Sequence, residues 1–593
     1  MRQVSVKAIQ CARLWKNGSK RPCPLFAPGQ ALSLRSYSSS KLPTNLPVVR
    51  TPMHIRRFSL ALISTVVASG AWYAYQGNGS AQSLATQVRG FASNAVSYAY
   101  ADSPSGPTRR PVLVNNAQFS TTAIPKDQPL SKTTDDSDRR VLNRLTPEQA
   151  TEKLRKDEES YLVNRGNGVV RYDLVQVPSN SPIEDDHAEL VVEVPSSAAA
   201  GEASDWNFWA VFDGHSGWTT SAKLRNVLIA YVARELNATF EAAAADPSKL
   251  VPSSEAIDAA IKQGFMRLDH EIVNESVEKV FKANSRRVAA ELLAPALSGS
   301  CALLSFYNSQ SKDLKVAVAG DSRAVLGRRG PNGKWTATAL SEDQTGGTPS
   351  EVKRLREEHP DEPSVTRNGR ILGQLEPSRS FGDAFYKWSK EVQDKIKGQF
   401  FGRTPHPLLK TPPYVTAEPV ITTTKIDPSQ GDFLVLATDG LWEMLSNEEV
   451  VGLVGQWLEE EKNKAAAGSN KAWLQSWFGF DNQGKLPVEE AHDASGEGQR
   501  RPIRQRQYDI AGAASRFVVE DKNAATHLVR NAMGGKDKDM VCSLLSLPSP
   551  YSRRYRDDLT VEVIFFGHGD DSRTIEVNKE ASAPQEEAPQ PKL

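Results

Sequence analysis

FWAVFDGHSG, residues 208–217, drives five apolar residues into an interior and then presents Asp213, Gly214, His215, Ser216 and Gly217 at the exit. A run that is apolar at every position describes a strand covered on both faces. Its end is where rigid backbone can hold a metal ligand. The construction recurs along the chain. DFLVLATDGLW (432–442) is a second apolar strand, ending in Asp439 and Gly440. YRDDLTVEVIFF (555–566) is the mirror case, with Asp557 and Asp558 at the mouth of a strand. LKVAVAGDSRAVL (314–326) sets Asp321 in a tight turn between two strands, and SPIEDDHAEL (181–190) places Glu184, Asp185 and Asp186 just before LVVEV.

A lone Asp-Gly after a strand is ordinarily only a turn. His215 alone reads as a polar loop residue, and Asp557 and Asp558 alone as surface charges paired with Arg553, Arg554 or Arg556. Repetition of one architecture at five places argues for convergence. Crowded carboxylates repel and protonate unless a cation sits among them. Oxygen ligands without a Cys/His cluster select hard ions, Mg²⁺ or Mn²⁺, over zinc. Two such ions can lower the pKa of a shared water and clamp a phosphoryl group for in-line transfer. His215, two residues from a ligand, is placed to protonate a departing alkoxide. The residues alone reach as far as a metal-dependent hydrolase.

The 593 residues carry a formal charge of +1, so no overall field recruits nucleic acid. The balance hides an asymmetry, because no Asp or Glu precedes Asp102 while the same stretch is rich in Arg, Lys and Ser. Residues 1–37 read as a mitochondrial transit peptide, with cleavage after Tyr37 in RSYSSS. Phe58–Tyr75 is 18 residues long and uncharged, flanked by Arg56 and Arg57 and closed by aromatics, as expected of a single membrane span. Residues 76–140 read as a disordered linker rich in Ser, Thr, Pro and Ala. Order begins at LTPEQ, where Thr146, Pro147 and Gln149 form a capping box. The folded domain is expected over 141–567, with a subfamily insertion at 456–535, and 568–593 as a disordered Pro and Glu tail. Cys11, Cys23, Cys301 and Cys542 make neither a disulfide framework nor a zinc site. Apolar runs with helical stretches such as SSEAIDAAIKQGFMRLDHEIV between them suggest stacked sheets with helices outside.

FDGHSG, GDSRAVL, LATDGLWE and RDDLTVEVIFF, in this order over residues 140–567, resemble the signature motifs of the metal-dependent type 2C protein serine/threonine phosphatases. SPIEDD, RILGQLEPSRSFGDAFYKW, TPPYVTAEP, EDKNAATHLVRNAMG, the LLSLP before RRYRDDLT and the opening LTPEQ resemble the pyruvate dehydrogenase phosphatase branch. The resemblance implies an α+β fold, a central two-sheet antiparallel β-sandwich flanked by helices on both sides, with a binuclear Mg²⁺ or Mn²⁺ centre at one end. It implies that Asp213 bridges the two ions and the Gly214 carbonyl binds one. Asp439 and Asp557 hold the other, and Glu184 acts through water or directly. Asp321 and Asp439 form a weaker third site, His215 is the general acid, and Asp185 orients metal-bound water. Many relatives carry a phosphate-gripping Arg where this chain has Asn180, as does the dehydrogenase-phosphatase branch. Arg379 in EPSRSFGD is the candidate clamp, with a structural loop arginine as the alternative. Cys301 stands where relatives usually have Thr.

A cysteine-based phosphatase needs Arg six residues after its nucleophile, but Tyr307 follows Cys301 and Pro548 follows Cys542 at that spacing. GRRGPNGKW lacks the spacing and the Ser/Thr of a P-loop. The expected partner is a phosphoprotein, the pyruvate dehydrogenase complex through its E1 α-subunit. The alternatives are a catalytically inactive scaffold of the same fold and an active enzyme with another mitochondrial substrate. Localisation is mitochondrial, in the matrix or on the inner membrane. A retained span with Arg56 and Arg57 in the matrix would face the domain to the intermembrane space.

Overall fold

The computed structural model describes residues 111–114, 119–120, 140–194, 204–246, 248, 251–467, 486–489, 502 and 516–584. The expected transit peptide and the candidate span at 58–75 lie outside them. Among the described residues no helix is long and apolar enough to cross a membrane.

Two antiparallel sheets carry the fold. The strands are β1 (Glu158–Asn164), β2 (Val169–Val177), β3 (Asp186–Val194), β4 (Ser204–Phe212), β5 (Ala302–Asn308) and β6 (Asp313–Ala319). They continue with β7 (Arg323–Arg329), β8 (Trp335–Ala339), β9 (Val420–Lys425), β10 (Phe433–Ala437), β11 (Leu559–Phe566) and β12 (Thr574–Val577). One sheet runs β8-β7-β10-β11-β2-β1-β12 and the other β9-β6-β5-β4-β3. Inward residues of both sheets, among them Trp209, Val211, Leu303, Val316, Leu434, Leu436 and Ile564, pack into one buried cluster. The outward faces are apolar too. Phe208, Ala210, Phe212, Leu304 and Phe306 pack under α2 (Thr219–Ala244) and α3 (Ser254–His270). Val175, Val435, Val561 and Val563 pack under α1 (Pro147–Arg155), α6 (Asn447–Ala467), α7 (Ala524–Ala532) and α8 (Lys538–Ser546). Two further helices, α4 (Pro349–Glu358) and α5 (Lys390–Gln399), lie in the connection between β8 and β9. This helix–sheet–sheet–helix sandwich explains strands that are apolar at every position. Trp209 sits wholly inside it, where truncation to Ala costs about 3–5 kcal/mol.

The capping box at the start of α1 is present as expected. Thr146 Oγ1 accepts from the Gln149 N–H at 3.3 Å, and Gln149 Oε1 accepts from the Thr146 N–H at 3.1 Å. Three boundaries differ from expectation. In the expected linker, Pro111–Val114 pairs with Phe119–Ser120 and with Arg140–Asn143, because PVLV is itself an apolar, β-branched run. In the expected insertion, Trp457, Phe517 and α7 belong to the core, so the interruption is shorter than 456–535. In the expected tail, Thr574–Val577 adds an edge strand to β1, and Ala581 is buried.

Candidate metal centre

The acids meet because strand ends and turns of both sheets meet. β4 ends at Phe212 and delivers Asp213. The β6–β7 turn delivers Asp321, and the short helix Asp439–Trp442 starts directly after β10. Carboxylate oxygens of Asp213, Asp321 and Asp439 all lie within 4.8 Å of one another, a spread that one oxygen-coordinated ion draws together. The Asp439 N–H donates to Asp213 Oδ2 at 3.4 Å. Asp185, at the entry to β3, is fixed from both sheet strands, because Thr438 Oγ1 and Thr560 Oγ1 each donate to its Oδ2 at 2.9 Å. Asp557 abuts this group, since a Cβ on Gly440 would stand 3.2 Å from Asp557 Cβ. It is also turned onto the Arg553 guanidinium. A Cβ on Gly214 would stand 2.0 Å from the Glu184 carbonyl oxygen, so only glycine lets these two backbones touch.

Burial is the largest cause raising the pKa of Asp213, Asp185 and Asp439 far above the carboxylate range. Neighbouring carboxylates add to it: Asp185 and Asp321 act on Asp213, Asp558 on Asp185, and Asp213 on Asp439. Burial also raises Glu184. Buried acids that resist ionisation in one another's company form a donor set completed by hard divalent cations, so the residues fit such a group. Among them, Asp213, the Gly214 carbonyl, Asp439, Asp557, Glu184 and Asp321 would hold it.

His215 lies on a three-stranded ribbon of Gly214–His215, Gly299–Ser300 and Phe381–Gly382. The ribbon brings the ring to Asp383, with 2.7 Å between Nε2 and Oδ2, and Ser380 Oγ donates to the same oxygen at 2.6 Å. Burial opposes charge on the ring, but the Asp383 carboxylate outweighs it and holds His215 above the ordinary imidazole pKa.

Arg379 is not brought to the site. Its Nε and Nη2 bind Glu351 Oε1 at 3.0 and 2.8 Å, and its Nη1 binds the Glu418 carbonyl at 2.7 Å. It lines a cavity of about 750 Å³ with Asp258, Lys262, Arg354 and Val420, and none of the metal-site acids is in that wall. The clamp expectation is therefore corrected: Glu351 of α4 and the Glu418 carbonyl hold the guanidinium, which braces a loop. Two functional residues escaped the sequence. Asp383 has only another Gly-Asp pair as its signal. Asp558, readable as a surface charge, is buried and accepts from the Ser179, Asn180 and Glu184 N–H groups, which fixes the Glu184 loop. Cys301 is buried, and its thiol donates to Asp321 Oδ1 at 3.2 Å.

A second group, His187, Glu189 and Glu562, lies deeper between the sheets. Burial, then Glu189, drives Glu562 far above the ordinary range. A protonated Glu562 donating to Glu189 satisfies oxygens that otherwise lack a partner. Burial would raise Glu189, but the His187 ring, 2.6 Å away, and Glu562 bring it to about 2. The trio is closed by a shared proton and needs no cation.

Carboxylates able to hold hard cations at the end of a two-sheet sandwich, with a histidine–aspartate pair nearby, fit a metal-dependent phosphoesterase. The sequence profile of Protein phosphatase 2C matches residues 179–472. The mitochondrial [Pyruvate dehydrogenase [acetyl-transferring]]-phosphatase 1 of Saccharomyces cerevisiae is 44% identical over 464 residues, covering 74% of this chain and 77% of its own length. The Homo sapiens protein of the same name is 32% identical over 488 residues, covering 71% and 83%. Homo sapiens phosphatase 2 of that name is 30% identical over 488 residues, with the same coverage. The chain belongs to the protein phosphatase 2C family, in its pyruvate dehydrogenase phosphatase branch. It is a protein serine/threonine phosphatase of a family that depends on Mg²⁺ or Mn²⁺.

Proposed function

We propose that this phosphatase removes phosphate from serine on the E1 α-subunit of the pyruvate dehydrogenase complex, in mitochondria. The residue roles are those expected above. Asp213, the Gly214 carbonyl, Asp439, Asp557 and Glu184 would hold the divalent ions, and Asp321 with Asp439 would offer a further, weaker position. When bound, such ions supply a water nucleophile at neutral pH and neutralise charge on the phosphoryl group. Asp185, held by Thr438 and Thr560, would orient an attacking water by accepting its hydrogen bond. His215, kept protonated by Asp383, donates its proton to the serine oxygen as it leaves. The observation that carries the reading is the convergence of half-buried Asp213 and Asp439 with buried Asp321, near the His215–Asp383 pair.

The substrate assignment rests on the names of the relatives and on the basic leader. Incubating the phosphorylated complex with this protein and Mg²⁺ tests it, and unchanged phosphate on E1 would sink the substrate while leaving the chemistry standing. We place the catalytic domain in the matrix, with residues 1–37 removed on import. Protease protection on mitoplasts tests this, because digestion from the intermembrane-space side would mean that 58–75 is retained as a span.

A further inference from the structure

A phosphate monoester arriving at this centre is a dianion approaching a ring of carboxylates. Beyond the ions, it needs a cationic side chain at the mouth with hydrogen-bond donors to spare. Asn180, where many relatives carry Arg, is uncharged, and its Nδ2 donates to Asp558 Oδ2 at 2.9 Å. Two cationic candidates are engaged elsewhere. Arg379 is held by Glu351 and the Glu418 carbonyl. Arg556 is buried as a strut, with Nη2 on the Pro178 carbonyl at 2.7 Å.

Arg553 is different in every respect. Its side chain is 45% exposed, and its Nη1 pairs with Asp557, four residues on. It stands on the short turn Ser552–Arg554, which is anchored at its base. Ser552 Oγ donates to the Ser179 carbonyl at 2.5 Å, and the Arg556 N–H donates to the Ser552 carbonyl at 3.0 Å. The mount is rigid while the head group faces outward. The pair with Asp557 sets the guanidinium beside the metal-site acids, because Asp557 abuts Gly440, the residue after Asp439.

We propose that Arg553 grips the non-bridging oxygens of the substrate phosphate. One edge of the guanidinium stays on Asp557 and the other presents a planar donor pair that matches two phosphate oxygens. The proposal rests on the phosphatase reading, and the test separates the two. The full chain and its Arg553→Ala and Arg553→Lys variants are assayed with Mn²⁺ on a phosphoserine peptide, with inorganic phosphate as competitive inhibitor. The parent must first hydrolyse the peptide in a Mn²⁺-dependent way; if it does not, the phosphatase reading fails. Given an active parent, Arg553→Ala should raise KM and the phosphate inhibition constant roughly tenfold or more, the loss of a charge-assisted contact. Arg553→Lys should recover only part of it, because a point charge replaces a fork. Half-saturating Mn²⁺ should stay level or fall, since removing a cation from among the acids favours another. An unchanged phosphate inhibition constant, or a loss confined to weaker Mn²⁺ uptake, would overturn the proposal and leave Arg553 as a partner of Asp557 only.

Discussion

At Asp213 and at His215 desolvation and nearby carboxylates set the chemistry. Without ions, half-buried Asp213 is poorly hydrated with Asp185 and Asp321 beside it, and its folded pKa lies well above its unfolded one. A group raised in the folded state stabilises fully below the unfolded pKa, and that stability is lost as pH rises. Thermal melting of the chelated protein should therefore weaken from pH 5 to 8, and Mg²⁺ should flatten the slope. Asp213→Asn should lose about a hundredfold or more in kcat/KM, yet the chelated variant should melt higher than its parent and no longer respond to Mg²⁺. A variant that is inactive but still stabilised by Mg²⁺ would remove Asp213 from the ligand set. His215 has the opposite need: it must be protonated to serve as the acid, and activity falls as pH rises through its pKa. Asp383 holds that pKa up, so Asp383→Asn should shift the descending limb of the kcat profile to lower pH and cost about tenfold at pH 8. An equal loss at every pH would make Asp383 merely structural. Asp213 was legible because an apolar run ending in Asp-Gly is a local signal. Asp383 was not, because its partner is 168 residues away and only the three-stranded ribbon brings them together. Arg379 misled for the same reason, since Glu351, which holds it, sits on a helix 28 residues earlier.

The elements were legible wherever periodicity was strong. β4, β5, β6, β10 and β11 fall where the apolar runs stand, and α3 matches the helical pattern of SSEAIDAAIKQGFMRLDHEIV up to a π-turn at Glu271–Glu275. What periodicity hid is a polar residue inside a strand. Glu562 sits mid-way along β11, facing β3 across the sandwich, and its neighbours there are His187 and Glu189. No alternation in LTVEVIFF announces that the interior accepts a carboxyl. It does so because burial, with Glu189 beside it, pushes the carboxyl well above its ordinary range and so favours its neutral form. Its folded pKa is raised, so the stability it contributes declines as pH climbs above roughly 4.3, the unfolded glutamate value. Glu562→Gln keeps the shape and the donor. It should match the parent at pH 4 to 5, melt higher at pH 8, and leave kcat unchanged. A variant less stable than the parent at pH 8 would show that Glu562 is ionised in the fold.

At the scale of the molecule, the chain's own ends decide how much of it is one folding unit. Composition placed the end of the domain at 567, because the residues beyond are polar and close in EASAPQEEAPQPKL. Four residues, TIEV, are too short and too half-exposed to announce an edge strand, yet they complete the seven-stranded sheet against β1. The segment after them is tied down as well. The Asn578 N–H donates to the Ser160 carbonyl and the Ala583 N–H to the Glu158 carbonyl, each at 2.9 Å. The carbonyl of Ala581 accepts at 3.0 Å from Asn523 Nδ2, and Asn523 is the buried N-cap of α7. α7 in turn covers β11, the strand that follows Asp557. Ending the chain at 567 exposes the edge of β1, removes the Asn578 and Ala583 hydrogen bonds to it, and takes one of three carbonyl acceptors from the buried Asn523 amide, which together cost about 3 kcal/mol. For a unit of this size that is roughly 3 °C of melting temperature. We therefore expect residues 109–584 to melt and turn over like the full chain, and 109–567 to melt about 3 °C lower with a higher requirement for Mg²⁺. If 109–567 melts with the full chain, the segment 574–583 is an ornament on the sheet, and β1 alone closes the edge on which α7 packs.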